Sequence, residues 1–191
     1  MTHRLNRFPG IVLAAVFAMG GVGAVSAEGA VRGGFVSGDH GRAASKQWAY
    51  SADSGARVAG SRRVYQGDYG GWGWSRKQTA ADGQGNAYRR NTQAYRGPEG
   101  GSGYKTVERG HSADGSAYKH KKREINGAEG SRYLSESDVR RDANGEVTGS
   151  RSVKAEGAAG KTYESSISQQ EGQWVREASC ADAAGNSVDC R

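Results

Sequence analysis

Nine basic residues, Arg89, Arg90, Arg96, Lys105, Arg109, Lys119, Lys121, Lys122 and Arg123, fall among the tyrosines of residues 80–133. Cationic side chains neutralise the charges of a polyanion, and aromatic rings beside them add stacking on bases or sugar rings. An acidic polymer, polysaccharide or nucleic acid, is therefore the partner this stretch points to. Arg89, Arg90, Lys105, Arg109, Lys119, Lys121, Lys122 and Arg123 form the candidate contact set. A plainer role competes with it, because charged side chains, lysine above all, keep an exposed sheet soluble and discourage edge pairing. The charge is unevenly distributed: residues 28–125 carry 17 Lys and Arg against 9 Asp and Glu, and residues 126–191 carry 8 against 11. Attraction for polyanions belongs to the first part.

Trp72 and Trp74, in Tyr69-Gly70-Gly71-Trp72-Gly73-Trp74, are the candidate aromatic contacts, since flanking glycines leave them little local packing. The alternative is structural, because aromatic ladders are what a sheet without a core needs for its own stability. Cys180 and Cys190 flank a turn-like segment and are expected to form a disulfide in an exported chain. No Cys-x-x-Cys spacing suggests redox chemistry. Gly70-Gly71-Trp72-Gly73 and Asp142-Ala143-Asn144-Gly145-Glu146 each match part of a calcium-binding loop but lack its remaining ligands, so both read as turns. His40, His111 and His120 lack zinc-site spacing. No nucleophile elbow, phosphate loop or isolated acid pair is present, and neither an enzyme nor a cofactor is expected.

The elements that must position these residues are set by a repeat. Gly-x-x-Tyr occurs at Gly85–Tyr88, Gly101–Tyr104, Gly115–Tyr118 and Gly130–Tyr133. Letting the fourth position vary extends the series from Gly41 through Gly55 and Gly71 to Gly145, Gly160, Gly172 and Gly185. Its intervals are 14, 16, 14, 16, 14, 15, 15, 15, 12 and 13. A period near 15 divides into a strand of about ten residues and a turn of about five, with Asp-Gly and Asn-Gly steps supplying left-handed turn positions. Tyr163, Ser165, Ile167 and Gln169 then share one face of a strand, and Glu164, Ser166 and Ser168 the other.

After Ala27 the chain holds only one Phe, one Leu, two Ile and ten Val, too few to fill a closed core. Both sides of Tyr118-Lys119-His120-Lys121-Lys122-Arg123-Glu124-Ile125 must be wet, which also excludes a membrane barrel. The expected fold is all-β: a repetitive antiparallel meander of about ten short strands, open and largely a single twisted layer. A β-solenoid is the alternative. The turn-and-strand unit from Asp142 to Thr148 superficially resembles the tyrosine-aspartate repeats of secreted bacterial shell proteins. The chain has no Tyr-Asp dipeptide and a shorter period, so no family is assigned.

Residues 1–27 read as a Sec-type signal peptide with a helical apolar core. Arg4 and Arg7 precede the apolar run Ile11 to Met19, and Val25-Ser26-Ala27 forms the cleavage pattern. No membrane span is expected after cleavage, and the mature chain of 164 residues would carry a net charge of +5. Residues 28–40 are expected to be a Gly-rich flexible arm and residues 41–191 the β-repeat domain. The resulting expectation is a secreted or periplasmic, non-enzymatic protein, structural or adhesive, whose cationic, tyrosine-bearing surface contacts an acidic polymer. Self-assembly into fibres through sheet edges, by strands such as Tyr163 to Gln170, is one alternative. A disordered exported chain that orders on a partner is another.

Overall fold

The computed structural model describes residues 27–38, 41–67, 69–170 and 172–190, so the expected signal peptide lies outside the described residues apart from Ala27. Each repeat closes on a glycine that adopts a left-handed conformation. Gly55, Gly70, Gly85, Gly100, Gly115, Gly130, Gly145 and Gly160 have φ between 80° and 98° and recur every 15 residues without interruption. Only glycine enters this region without a Cβ penalty. At the turn around Gly115, its N–H donates to the Ser112 carbonyl at 3.0 Å, and Ser112 N–H donates to the Ser116 carbonyl at 2.9 Å. This is a type I turn followed by a left-handed bulge residue, a common hairpin closure. The uneven 14 and 16 intervals of the sequence series disappear. In the Gly70-Gly71 and Gly100-Gly101 pairs, the first glycine takes the left-handed position and the second closes the turn as a hydrogen-bond acceptor.

The turns join twelve strands in the order of the chain, all antiparallel. They are β1 (Ala27–Gly38), β2 (Gly41–Ala52), β3 (Arg57–Gln66), β4 (Trp72–Ala81), β5 (Ala87–Arg96) and β6 (Ser102–His111). The series continues with β7 (Ala117–Asn126), β8 (Arg132–Arg141), β9 (Val147–Glu156), β10 (Thr162–Gln170), β11 (Gln173–Ala181) and β12 (Ser187–Val188). The meander is thus the fold, and not a solenoid. The segment expected as a flexible arm differs from the structure: residues 27–38 are β1, paired with β2 from Ala27↔Ala52 to Gly38↔Gly41. Its glycines, at Gly29, Gly33, Gly34 and Gly38, stand in an edge strand with one neighbour.

Strands touch only their neighbours in order, so the sheet is one layer with two solvated faces. No hydrophobic residue among those described is buried; Thr92, Thr106 and Ser135 are the buried polar ones. Thr92 and Thr106 face each other across β5 and β6 with their hydroxyls 3.3 Å apart. In place of a core, aromatic rings lie over glycines of the adjacent strand. Tyr65 covers Gly73, Tyr95 covers Gly103, Tyr118 covers Gly110, Trp48 covers Gly60 and Tyr50 covers Gly29, each so closely that a Cβ on the glycine would fall within the ring. A strand glycine normally weakens a sheet. Here it provides the floor on which one side of a ring rests, while the other stays open to water.

The two ends of the sheet differ. Turns at one end begin with Gly67, Gly97, Gly127 and Gly157, with Asp182 opening the last turn there, and turns at the other with Ala52, Asp82, Ser112 and Asp142. Asp82 Oδ1 accepts from the N–H groups of Gln84 at 2.8 Å and Asn86 at 3.0 Å. Asp182 does the same for Ala184 at 2.9 Å and Asn186 at 2.8 Å. Side-chain hydrogen bonds from Asn86 and Asn186, with backbone donors, hold these two carboxyls below the usual aspartate range. The last of these turns carries the short β12, and the expected Cys180–Cys190 disulfide is present there with a Cα–Cα distance of 5.3 Å. Closing a loop of this length removes about 3 kcal/mol of unfolded-chain entropy in the entropic model.

Two measurements check this account. Gly73→Ala and Gly103→Ala should lower the urea midpoint by the equivalent of up to about 1 kcal/mol by displacing a ring. Gly34→Ala, whose new Cβ would meet only Ser45 Oγ at 3.7 Å, should be neutral or slightly stabilising; equal effects would discount the ring–glycine contact. The depressed aspartate pKa values mean that the ionised form stabilises the turns. That contribution is complete above the unfolded value near 3.8 and lost as pH falls through the lower folded values. Amide exchange at Asn86 and Asn186 should therefore accelerate selectively in acid, relative to the turn amides of Gly130.

A candidate polyanion-binding face

Each regular hairpin leaves five residues between its innermost paired positions, as in Gln66↔Trp72 and Ala81↔Ala87. Odd-numbered residues therefore pair with odd-numbered ones. From β2 to β10 every odd residue lies on one face, the odd face, and every even residue on the other. Pairing extends the odd face to the even-numbered residues of β1 and β11.

The strand acids are sorted by this rule. Glu108, Glu124, Glu136, Asp138, Glu156, Glu164 and, on β11, Glu177 all lie on the even face. The odd face carries only Glu28, near the start of the edge strand β1. Four ion pairs between strand residues lie on the even face. Arg90–Glu108 is at 3.0 Å, His120–Asp138 at 3.0 Å, Lys122–Glu136 at 3.3 Å and Lys154–Glu164 at 3.1 Å.

The odd face has cations without these counter-charges. Arg89 sits opposite Arg109, which sits opposite Lys119; Lys105 sits opposite Arg123; and Lys121 lies between these two rows. Like charges directly opposite one another destabilise a sheet. Beside them runs a row in which Tyr65, Gly73, Tyr95, Gly103, Ile125, Tyr133, Ala155 and Tyr163 are successive cross-strand partners. The Arg123 guanidinium is 5.9 Å from the centre of the Tyr133 ring. Arg176 donates to the Tyr163 hydroxyl at 3.2 Å. Hydrogen bonds with Ser165 and Arg176 draw the Tyr163 phenol below its ordinary range.

No family model, curated protein or solved structure matches this chain.

Of the eight cations singled out by sequence, Arg89, Lys105, Arg109, Lys119, Lys121 and Arg123 share the odd face. Arg90 and Lys122 project from the even face into ion pairs, and Arg96 is also on that face. Trp72 and Trp74 are on the even face, with Trp72 43% exposed and opposite Arg96, and so do not adjoin the cations of the odd face. Among the Gly-x-x-Tyr tyrosines, only Tyr133 faces the cationic side. The sequence reading missed Arg32, Arg57, Arg63, Lys77, Arg141, Arg151 and Arg176 on that side, together with Tyr65, Tyr95 and Tyr163. Sorting the residues of β2 to β10 into odd and even numbers would have found all of these but Arg32 and Arg176, whose strands invert the rule.

An open groove on the even face, lined by Ser112, Tyr118, His120, Asp138 and Arg140, holds the His120–Asp138 pair. Among the described residues no group of three His, Cys, Asp or Glu is placed to hold a metal ion. No helix there is long and apolar enough to cross a membrane.

Proposed function

We propose that this is an exported, non-enzymatic structural or adhesive protein whose odd face binds an acidic polymer. The observation that carries the proposal is the segregation of charge. The even face holds every strand acid from β2 to β11 and pairs Arg90, Lys122 and Lys154 with them, whereas the odd face sets Arg89, Arg109 and Lys119 side by side with no strand acid from β2 to β11. A sheet needing charge only for solubility gains nothing from that repulsion, while a polymer bearing carboxylates, sulfates or phosphates relieves it. The row containing Tyr65, Tyr95, Tyr133 and Tyr163 offers rings for sugars or bases beside the charges. Export is supported by the signal-like sequence of residues 1–27 and by the Cys180–Cys190 disulfide, which is compatible with an oxidising extracellular or periplasmic location.

A second reading, growth as a fibre, is favoured by β1. Its outer edge is unpaired, and Phe35 and Val36 on it are 67% and 70% exposed. Fibrils with cross-β spacing, formed by the purified protein without any polymer, would support it.

The polymer reading is tested by titrating heparin and single-stranded DNA at several salt concentrations. Arg89→Gln, Arg109→Gln, Lys119→Gln and Lys121→Gln combined should weaken binding at least about tenfold and reduce the log–log salt slope by about three. The even-face set Arg96→Gln, Lys122→Gln, Arg132→Gln and Arg140→Gln removes the same formal charge and should have a much smaller effect. Equal losses from both sets, or binding that ignores salt, would overturn the assignment to the odd face.

A further inference from the structure

The even face is also sorted, along a different axis. Across β1–β5 it carries Arg42, Lys46, Arg62, Arg76, Arg90 and Arg96 and no acid. Across β6–β11 it carries every other strand acid of the molecule, interspersed with Lys122, Arg132, Arg140 and Lys154. Two of those cations, Lys122 and Lys154, are already paired within the chain. Glu124, Glu156 and Glu177 make no ion pair among the described residues, and neither do Arg42, Lys46, Arg62, Arg76 and Arg96. One face thus presents a basic half and an acidic half whose unpaired charges complement each other.

We propose that two copies of this chain pair through their even faces, the basic half of each lying over the acidic half of the other. A two-fold axis between the sheets and parallel to the strands reverses strand order while keeping each residue's level along the strand. It lays β2 over β11 and β5 over β8. Lys46 and Glu177 occupy the same cross-strand row, so each is brought opposite the other; Arg90 and Asp138, each already paired within its own chain, also share a row, and Arg96 shares one with Arg132. An in-plane axis perpendicular to the strands would instead set basic half on basic half. The contact is isologous, as closed dimers require, because each copy supplies both halves. It would remove water from Trp72 and Val64, which are 43% and 39% exposed on this face. Facing sheets pack about 10 Å apart, close enough for the two sets of charged ends to meet. The two odd faces remain outward. The inference rests on the even face alone and is independent of the polymer reading.

Sedimentation velocity of the purified protein, with no polymer added, tests it. The unaltered protein should sediment as a dimer at low salt and dissociate as salt rises. Arg62→Glu with Arg76→Glu should raise the dimer dissociation constant at least about tenfold, and so should Glu156→Lys with Glu177→Lys. Mixing the two variants should restore a one-to-one dimer, because each reversed half then meets its complement. A monomer at all concentrations, assemblies larger than two, or dimers indifferent to salt would each overturn the proposal. So would failure of the mixture to associate when both variants keep the parent circular dichroism spectrum. If either variant misfolds, the salt dependence of the unaltered protein still decides. Loss of polymer binding through odd-face substitutions should leave the dimer unchanged.

Discussion

The rest of the structure depends on the glycine that closes each hairpin. At Gly55 and at each 15-residue step to Gly160 a left-handed residue bends the chain, and at Gly55, Gly70, Gly100, Gly115, Gly130, Gly145 and Gly160 its N–H caps the turn. The loop it closes holds an odd number of residues, and the sum of paired residue numbers is therefore even. A side chain's face is then set by whether its number is odd or even, from β2 through β10. One residue more or less in a single loop would invert every following strand. The steadiness of the period is thus what keeps the strand acids off the odd face over most of the sheet. The two places where the loop changes, at Gly41 and Gly172, lie near the ends of the sheet, where few strands remain to be inverted.

A sheet built this way cannot draw stability from an interior. What it has are contacts between adjacent strands: the ladder, the rings over glycines, the Thr92–Thr106 hydroxyl contact and the even-face ion pairs. Each is worth a fraction of a kcal/mol to about one. Their distribution is uneven, with the buried positions in β4, β5, β6 and β8. Central strands gain from neighbours on both sides, whereas β1 has one neighbour and β12 is held by two paired residues and a disulfide. Stability of this kind is close to additive along the strand order, as in other repeat architectures. Fraying should therefore begin at β1, where no covalent staple compensates for the missing neighbour.

Much of this was legible in the residues. Gly-x-x-Tyr spacing marks the hairpins, the shortage of Phe, Leu and Ile excludes a closed core, and the cysteine pair marks the final turn. The exact register was not, for a local reason. At Gly70-Gly71 and Gly100-Gly101 either glycine fits the turn chemistry, and only the hydrogen bonds of the folded loop distinguish them. A one-residue error there is small on the scale of the period but exchanges the faces. It is why Arg89 and Arg90, adjacent in sequence, looked alike as candidates although one faces unpaired cations and the other faces Glu108. Residues 28–40 read as an arm because glycine is a poor strand former, and residues 39–40 of that segment lie outside the described residues. Pairing along the whole of β2 outweighs that local preference.

The charge segregation sets a stronger constraint than the cation count. On a strand wet on both sides, an acid costs little on either face, and moving Glu124 one position would place it beside Lys105 and Lys121 on the odd face. Mixed signs there would relieve repulsion between Arg89, Arg109 and Lys119, whose strands lie about 5 Å apart, within the 8–10 Å screening length of ordinary salt. The even face uses this relief at Arg90–Glu108 and Lys122–Glu136. In the proposed reading, the compensating negative charge on the odd face comes from outside the chain. A partner that spans several strands at once is favoured over a small anion, because the unpaired cations extend from Arg57 in β3 to Arg176 in β11 and no enclosed site gathers them. An extended acidic polymer meets that geometry, with each strand it crosses adding one more released counterion.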